Sequence, residues 1–493
     1  MNIKQAKEQV KKTCVAYLTK DAFGEYVMPI ETQRPIFLLG APGIGKTAIM
    51  AQVAAELDLG LVDYSMTHHT RQSAMGLPFI TKRRYGERDV DISEYTMSEI
   101  IASIYESIEK TGRKEGILFL DEINCVSETL MPMMLRFLQS KMLGNHRVPD
   151  GWVVVSAGNP LEYNKSARQF DVVTMDRVKR IEVEPDLAAW REYAMACGAH
   201  PAVVSFLDMR PDCFYYMEAK GRSREFVTAR AWMDLSNMMR LYEKNGLEID
   251  DELVSQYLQT ASIASDFYVY LRLFSSYSAD YRIEDILGGK ADESLREKAA
   301  HAGFDERAAL AGLLIDTLAA HAESDVEQEH ELAELRAALV RAKEEPDPAA
   351  TLSREADEHA SRLEADAARY RNDVLARSVE HGAIESLRAW AAKLGGGGAS
   401  LRDIAASFNE RLGEHKRQGA IIETELTSAL DFMDAAWGEG NEMTVALNEM
   451  TMNKTLSAFI AKHGCDAYYN HSETLMLDAR AERLAERLAQ LEA

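Results

Sequence analysis

Eight residues constrain this chain more than any other feature of it: Gly40-Ala41-Pro42-Gly43-Ile44-Gly45-Lys46-Thr47, set between the apolar run 36–39 and helix-forming sequence from Ala48 onward. The spacing is GxxxxGK[ST]. Its glycines let the backbone curl so that successive N–H groups face one anion, and the N-terminal end of the following helix adds a favourable dipole. Lys46 is placed to reach the outer oxygens of a polyphosphate, and Thr47 to offer its hydroxyl oxygen to Mg²⁺. Gly40, Ala41, Pro42, Gly43, Ile44, Gly45, Lys46, Thr47 and Ala48 together are the predicted phosphate-binding residues. A loop of this kind functions at the end of a buried strand that feeds a helix, so an α/β sheet is the first requirement on the fold.

The rest of the first third meets that requirement. Short apolar runs at 61–64, 117–120, 153–157 and 181–183 join 36–39, each followed by turn or polar residues and separated by helical stretches. Continuous apolar runs of this length fit strands buried on both faces of a parallel sheet. The run 117–120 ends in Asp121-Glu122. Adjacent acids there suit Asp121 to hold Mg²⁺ through water and Glu122 to orient and deprotonate an attacking water. The run 153–157 leads through Gly158 to Asn159-Pro160. An amide at that strand end can sit between the terminal phosphate and the attacking water, although Asn before Pro is also an ordinary turn residue. The order of these three elements predicts ATP and Mg²⁺ as ligands and ATP hydrolysis as the reaction.

Beyond Pro185 the texture changes. Residues 186–320 carry apolar positions at helical spacing and predict an all-α lid after an α/β core at 1–185. Residues 321–394 predict a coiled-coil-like helical hairpin, with Leu332, Leu335 and Leu339 on one arm, a break at Pro346 and Pro348, and Ala356, Ala360, Leu363, Ala367, Tyr370 and Val374 on the other. Gly395, Gly396, Gly397 and Gly398 predict a flexible joint, leaving 395–493 as a separate helical region. Ser400 with Asp403 marks a helix start ahead of Leu401, Ile404, Phe408 and Leu412, and Leu477, Leu484, Leu488 and Leu491 stripe a last helix. On this division a chain ending near Leu394 still folds.

Composition narrows the function classes. Fifty-six basic against seventy-nine acidic residues give a net charge of −23, which argues against binding to a phosphate backbone. Five scattered cysteines without a CxxC pair fit a reducing compartment. His68 with His69, and His463 with Cys465 and His471, match no metal-ligand spacing. No apolar stretch is long enough to span a bilayer, and the first twenty residues lack a signal-peptide core. A cytoplasmic location is expected.

With these motifs in order, the sequence resembles the AAA+ ATPases, and more narrowly their MoxR-like branch, over about residues 30–240. Leu135-Arg136-Phe137-Leu138-Gln139 resembles the helix before the sensor strand of that branch. Met175-Asp176-Arg177 is similar to its Leu-Asp-Arg-Phe element, with Val178 in place of Phe. The resemblance implies an arginine finger at Arg177, with Arg180 as the alternative, and a second sensor at Arg230 within Thr228-Ala229-Arg230-Ala231-Trp232. It further implies Asn159 as first sensor, a hexameric ring, and a protein partner bearing a von Willebrand factor A domain. Residues 67–91, with Thr70, Arg71, Gln72, Lys82, Arg83 and Arg84, fall where such rings commonly place a pore loop. The expected fold is therefore an α/β P-loop AAA+ domain with a five-stranded parallel sheet, then an all-α lid and an all-α C-terminal region. The expected role is an ATP-driven remodeller or assembly chaperone; a nucleic-acid motor and a slow ATP-dependent switch are the alternatives.

Overall fold

A computed structural model describes residues 1–68, 74–86, 88–164, 166–220, 223–365, 374–397, 399–438 and 440–473. The chain forms two compact units, Met1–Ala189 with Thr228–Ala231, and Trp190–Val227 with Trp232–Ala493.

In the first unit the five expected strands form one sheet. They are β1 (Ile36–Gly40), β2 (Gly60–Ser65), β3 (Gly116–Asp121), β4 (Trp152–Gly158) and β5 (Lys179–Val183). Their order is β2-β3-β4-β1-β5 and every pairing is parallel. All seven residues of β4 are buried, as the continuous apolar run requires of a strand covered on both faces. Phe37, Val62, Leu118, Leu120, Phe137 and Val154 share one core with Ile100 and Ile104 of the helix Glu99–Thr111. Because β3, β4 and β1 are neighbours and run the same way, the loops after Leu120, Gly158 and Gly40 emerge side by side.

The span expected as a loop at 67–91 differs. Pro78–Tyr85 and Arg88–Tyr95 pair as an exposed antiparallel hairpin. Lys82 lies opposite Asp91 and Arg84 opposite Asp89, while Arg83 pairs with Glu94 at 2.6 Å. The basic cluster is thus set against acids on the adjoining strand. Thr70, Arg71, Gln72 and His69 lie outside the described residues.

The second unit corrects three boundaries. Residues 186–320 are not purely helical: Tyr216–Lys220 and Ser223–Val227 form an antiparallel hairpin. These five-residue strands mix charged and apolar side chains, too short a pattern to stand out from the surrounding helical periodicity. Next, one helix, Phe304–Glu344, runs 41 residues across the boundary expected at 320. It buries Leu310, Leu314, Leu318 and Ala322 in one core and Leu332, Leu335, Ala338 and Ala342 in another. It ends before Pro346, and the next helix, Pro348–Ala365, starts at the second proline, as expected.

Last, the glycines do not separate two folded parts. Helix Val374–Gly395 leads into helix Leu401–Trp437, whose start carries the expected Ser400–Asp403 capping box. Ile404 and Phe408 of that helix join the core of Leu332, Leu352, Leu387 and Trp390. Farther along, Ile422, Leu426, Leu430 and Met433 pack in the core of Leu310, Leu314 and Leu318. The one helix therefore completes both cores, and residues 395–473 are integral to the unit. The expected hairpin is one part of this larger packing, with helices 348–365 and 374–395 packed on each other and both on the 41-residue helix. Ala367, Tyr370, Gly398 and the stripe Leu477, Leu484, Leu488 and Leu491 lie outside the described residues.

Asp325, fully buried, lies 3.4 Å from His415 and 3.5 Å from His463, joining three helices. Among the described residues no group of three His, Cys, Asp or Glu side chains could hold a metal ion, and no helix is long and apolar enough to cross a membrane.

Candidate functional site

The site is built at the carboxyl ends of β1, β3 and β4. Gly40 closes β1, where a Cβ would lie 2.5 Å from the Val183 carbonyl oxygen of β5, so only glycine lets the strands pair at this point. The chain then turns through Gly43 and Gly45, with φ of 72° and 95°, before helix Lys46–Glu56 begins. Ala41 and Ile44 are buried under the loop, Pro42 and Gly43 are half-buried, and Ala48 is exposed on the first helical turn.

Lys46 points back over this loop. Its Nζ donates to the carbonyl oxygens of Gly40 and Ala41, each at 2.8 Å, and to Oδ1 of Asn159 at 3.0 Å. Only 8% of the residue is exposed. Burial pulls its pKa down from 10.5 to about 8; the Asp121 carboxylate opposes that shift, and the nearby charge of Arg230 adds to it. Holding a charged amine there costs about 3 kcal/mol relative to water. An arriving polyphosphate would supply the negative charge that three neutral oxygens do not.

Thr47 Oγ1 donates to Asp121 Oδ2 at 3.1 Å, and Asp121 Oδ1 accepts the Glu122 backbone N–H at 2.8 Å. Hydroxyl and carboxylate oxygens this close are the hard donors that Mg²⁺ takes, usually beside several waters, so the residues fit that ion. Glu122 adopts a left-handed backbone, φ 55° and ψ 34°, as the chain leaves β3 for the short turn Ile123–Cys125. A non-glycine residue held in that conformation is uncommon and re-aims its side chain relative to a continuing strand. Across the sheet, burial and the Asp121 charge raise the pKa of Asp63 on β2.

Asn159 stands at the end of β4, 8% exposed, with its side chain on Lys46. Its backbone is held by a residue that sequence reasoning missed. Asn124 Nδ2 donates to the Asn159 carbonyl at 2.8 Å, and Asn124 Oδ1 accepts the Asn159 N–H at 3.2 Å. The available signal was a short amide two residues beyond the paired acids, but its partner is 35 residues away.

The three arginines differ. Arg180 is paired with Glu182 on the same strand. Arg177 is exposed; its backbone N–H donates to Thr174 O at 3.0 Å, but its guanidinium makes no hydrogen bond or ion pair among the described residues, although its charge helps lower the pKa of Asp171 after the Thr174 hydrogen bonds. Val178, at the position where Phe was expected, is buried in the core. Arg230 is brought to the phosphate loop, its backbone N–H donating to Gly43 O at 3.0 Å, while its side chain stays exposed.

A parallel sheet whose first strand feeds a glycine loop, a buried lysine and a helix, with a threonine–aspartate pair beside them, defines a P-loop nucleotide-binding domain. Residues 36–173 match the family model of AAA, the ATPase family associated with various cellular activities. The chain carries an AAA ATPase domain. No curated protein matches it.

Proposed function

We propose that this chain is an ATP-hydrolysing ring motor of the MoxR-like type that remodels or assembles a protein partner. The reading rests above all on one convergence: Lys46, Thr47, Asp121 and Asn159, drawn from three adjacent strand ends, share hydrogen bonds in one half-buried site. Gly40 to Ala48 would wrap the phosphates, and Lys46 would exchange its carbonyl partners for phosphate oxygens. Thr47 and Asp121 would hold Mg²⁺, which when bound supplies charge neutralisation at the transferring phosphoryl group. Glu122 accepts the proton of the attacking water, and Asn159 orients that water against the terminal phosphate. Arg230 lies near enough for its charge to act on Lys46, consistent with a second sensor.

Arg177 is the better arginine finger, since Arg180 already has Glu182 as its partner. An exposed guanidinium without an acceptor among the described residues suits a site on another copy of the chain, and a hexameric ring would supply six such junctions. The partner class, a protein with a von Willebrand factor A domain and bound metal, rests on the resemblance alone. Cross-strand acids opposite Lys82 and Arg84, with the acidic net charge, weigh against a nucleic-acid motor.

The test is Glu122→Gln. It should bind ATP like the unaltered protein and turn over about 10²-fold or more slowly, the scale of lost general-base assistance. Retention of a von Willebrand factor A protein on this variant in ATP, but not in ADP, supports the partner assignment. Unchanged turnover would remove Glu122 from the chemistry, and ATP-dependent retention of unrelated proteins alone would remove the partner class.

A further inference from the structure

Asn124 is 4% exposed, and its two shortest side-chain hydrogen bonds go to the backbone of Asn159, while the neighbouring Cys125 thiol also reaches Oδ1 at 3.7 Å. Its amide closes a two-bond ring with the Asn159 backbone, donating at 2.8 Å and accepting at 3.2 Å. Its own backbone carbonyl accepts the Arg168 N–H at 2.8 Å, and Nδ2 also reaches the Arg168 carbonyl at 3.5 Å. The preceding residue of β4, Gly158, is where a Cβ would fall 2.6 Å from Asn124 Oδ1. The sheet thus carries a glycine where any side chain would push this amide away. Beside it, Asn164 Nδ2 donates to Cys125 Sγ at 3.2 Å. The turn after Asp121-Glu122 is thereby tied to both Asn159 and the segment that follows it.

We infer that Asn124 is a positioning residue for hydrolysis: it fixes the backbone of Asn159, and so the sensor amide, relative to Glu122 two residues before it. This rests on the reading of Glu122 and Asn159 given above. Asn159 Oδ1 is bonded to Lys46, but among the described residues no side chain other than Asn124 bonds the Asn159 backbone. Without Asn124 the N–H and C=O of Asn159 lose their buried partners, and the end of β4 must shift to find others. The phosphate loop makes no hydrogen bond to Asn124, so nucleotide affinity does not depend on it.

Asn124→Ala should lower kcat about 10–100-fold, as loss of a partner that orients a functional ligand does, and leave the ATP Kd within about threefold. Asn124→Asp keeps the shape and the acceptor but turns an oxygen toward two carbonyls, so it should be impaired as well. The double variant Asn124→Ala with Asn159→Ala should be no slower than Asn159→Ala alone, because the two act as one unit. A merely structural role would instead give losses that multiply, with Kd weakened alongside kcat. Should Asn124→Ala not fold, Gly158→Ala, which displaces the same amide, should show the same fall in kcat at unchanged Kd. Normal kcat in Asn124→Asp or in Gly158→Ala, with Asn159→Ala slow, would overturn the inference and leave the sensor reading intact. Normal kcat in Asn159→Ala would overturn both, and unchanged turnover in Glu122→Gln would sink the reading of the site itself.

Discussion

Lys46 makes the nucleotide site sensitive to alkali in a way that can be worked out in advance. In the free protein its amine loses its proton with a pKa of about 8, chiefly because it is buried. Polyphosphate beside it favours the charged form, so the nucleotide selects the protonated state. The competent fraction is about nine-tenths at pH 7, half at pH 8 and one-tenth at pH 9, so the apparent Kd for ATP rises about tenfold between pH 7 and pH 9. Binding should take up about 0.1 proton at pH 7, 0.5 at pH 8 and 0.9 at pH 9. Calorimetric titration in two buffers of different ionisation enthalpy measures the uptake, and the same titrations give Kd. Stability of the free protein moves the opposite way. Unfolded Lys46 keeps its proton up to its ordinary value of 10.5, so its contribution to stability rises with pH from about 8 to 10.5. A Kd constant within about twofold from pH 7 to pH 9, without proton uptake, would refute the account of Lys46 as a buried amine charged by its ligand.

Other consequences are open to direct measurement. If Arg177 acts across a subunit boundary, Arg177→Ala should bind ATP and hydrolyse it poorly, and mixing with Lys46→Ala subunits should restore part of the activity. No rescue in demonstrably mixed assemblies would move the finger to Arg180 or to a role within one chain. Ending the chain at Leu394 should abolish cooperative folding of the second unit, because the cores around Leu310 and around Leu335 each lose the helix Leu401–Trp437; a soluble, cooperatively unfolding product would contradict that packing. Leu426→Ala, which truncates a fully buried side chain, should cost about 2–5 kcal/mol by denaturant titration. A loss well under about 1 kcal/mol would place Leu426 outside a tight core.

What the sequence disclosed followed from how local each signal was. The strand ending in Gly40, the loop to Thr47 and the strand ending in Asp121-Glu122 each combine a burial pattern with its chemistry inside a dozen residues. In the sheet only β4 lies between those two strands, and all three run the same way, so their loops meet. Asn124 was illegible because its meaning lies in the pairing of β3 with β4, and an isolated Asn after a strand is an ordinary turn residue. The helical half failed for a different reason. A stripe of Leu and Ala says that a face is buried but not against what. Leu318 and Leu332 sit on one uninterrupted helix yet serve different cores, so a change of composition near residue 320 was mistaken for a boundary. Four glycines likewise state only that no helix crosses them. Whether they join two domains or turn the chain within one depends on partners far along the chain.

The same contacts explain how the site can register its ligand. Asn159 has its side chain on Lys46 and its backbone on Asn124, so it is held from two sides by different elements. On the proposed reading, phosphate oxygens compete for the Lys46 amine and release Asn159 Oδ1, while the Asn124 bonds keep the end of β4 where it was. The freed amide is then available to a water placed by Glu122 without any rearrangement of the sheet. Arg168 is bonded to the same Asn124 backbone, and its guanidinium is paired with Glu128 at 2.7 Å. Asn124 thus ties the start of the segment that leads to Arg177 to the same end of β4. Breaking the Asn124 link should therefore disturb the placement of water in its own site, because the end of β4 then has only the Lys46 bond to hold the sensor amide.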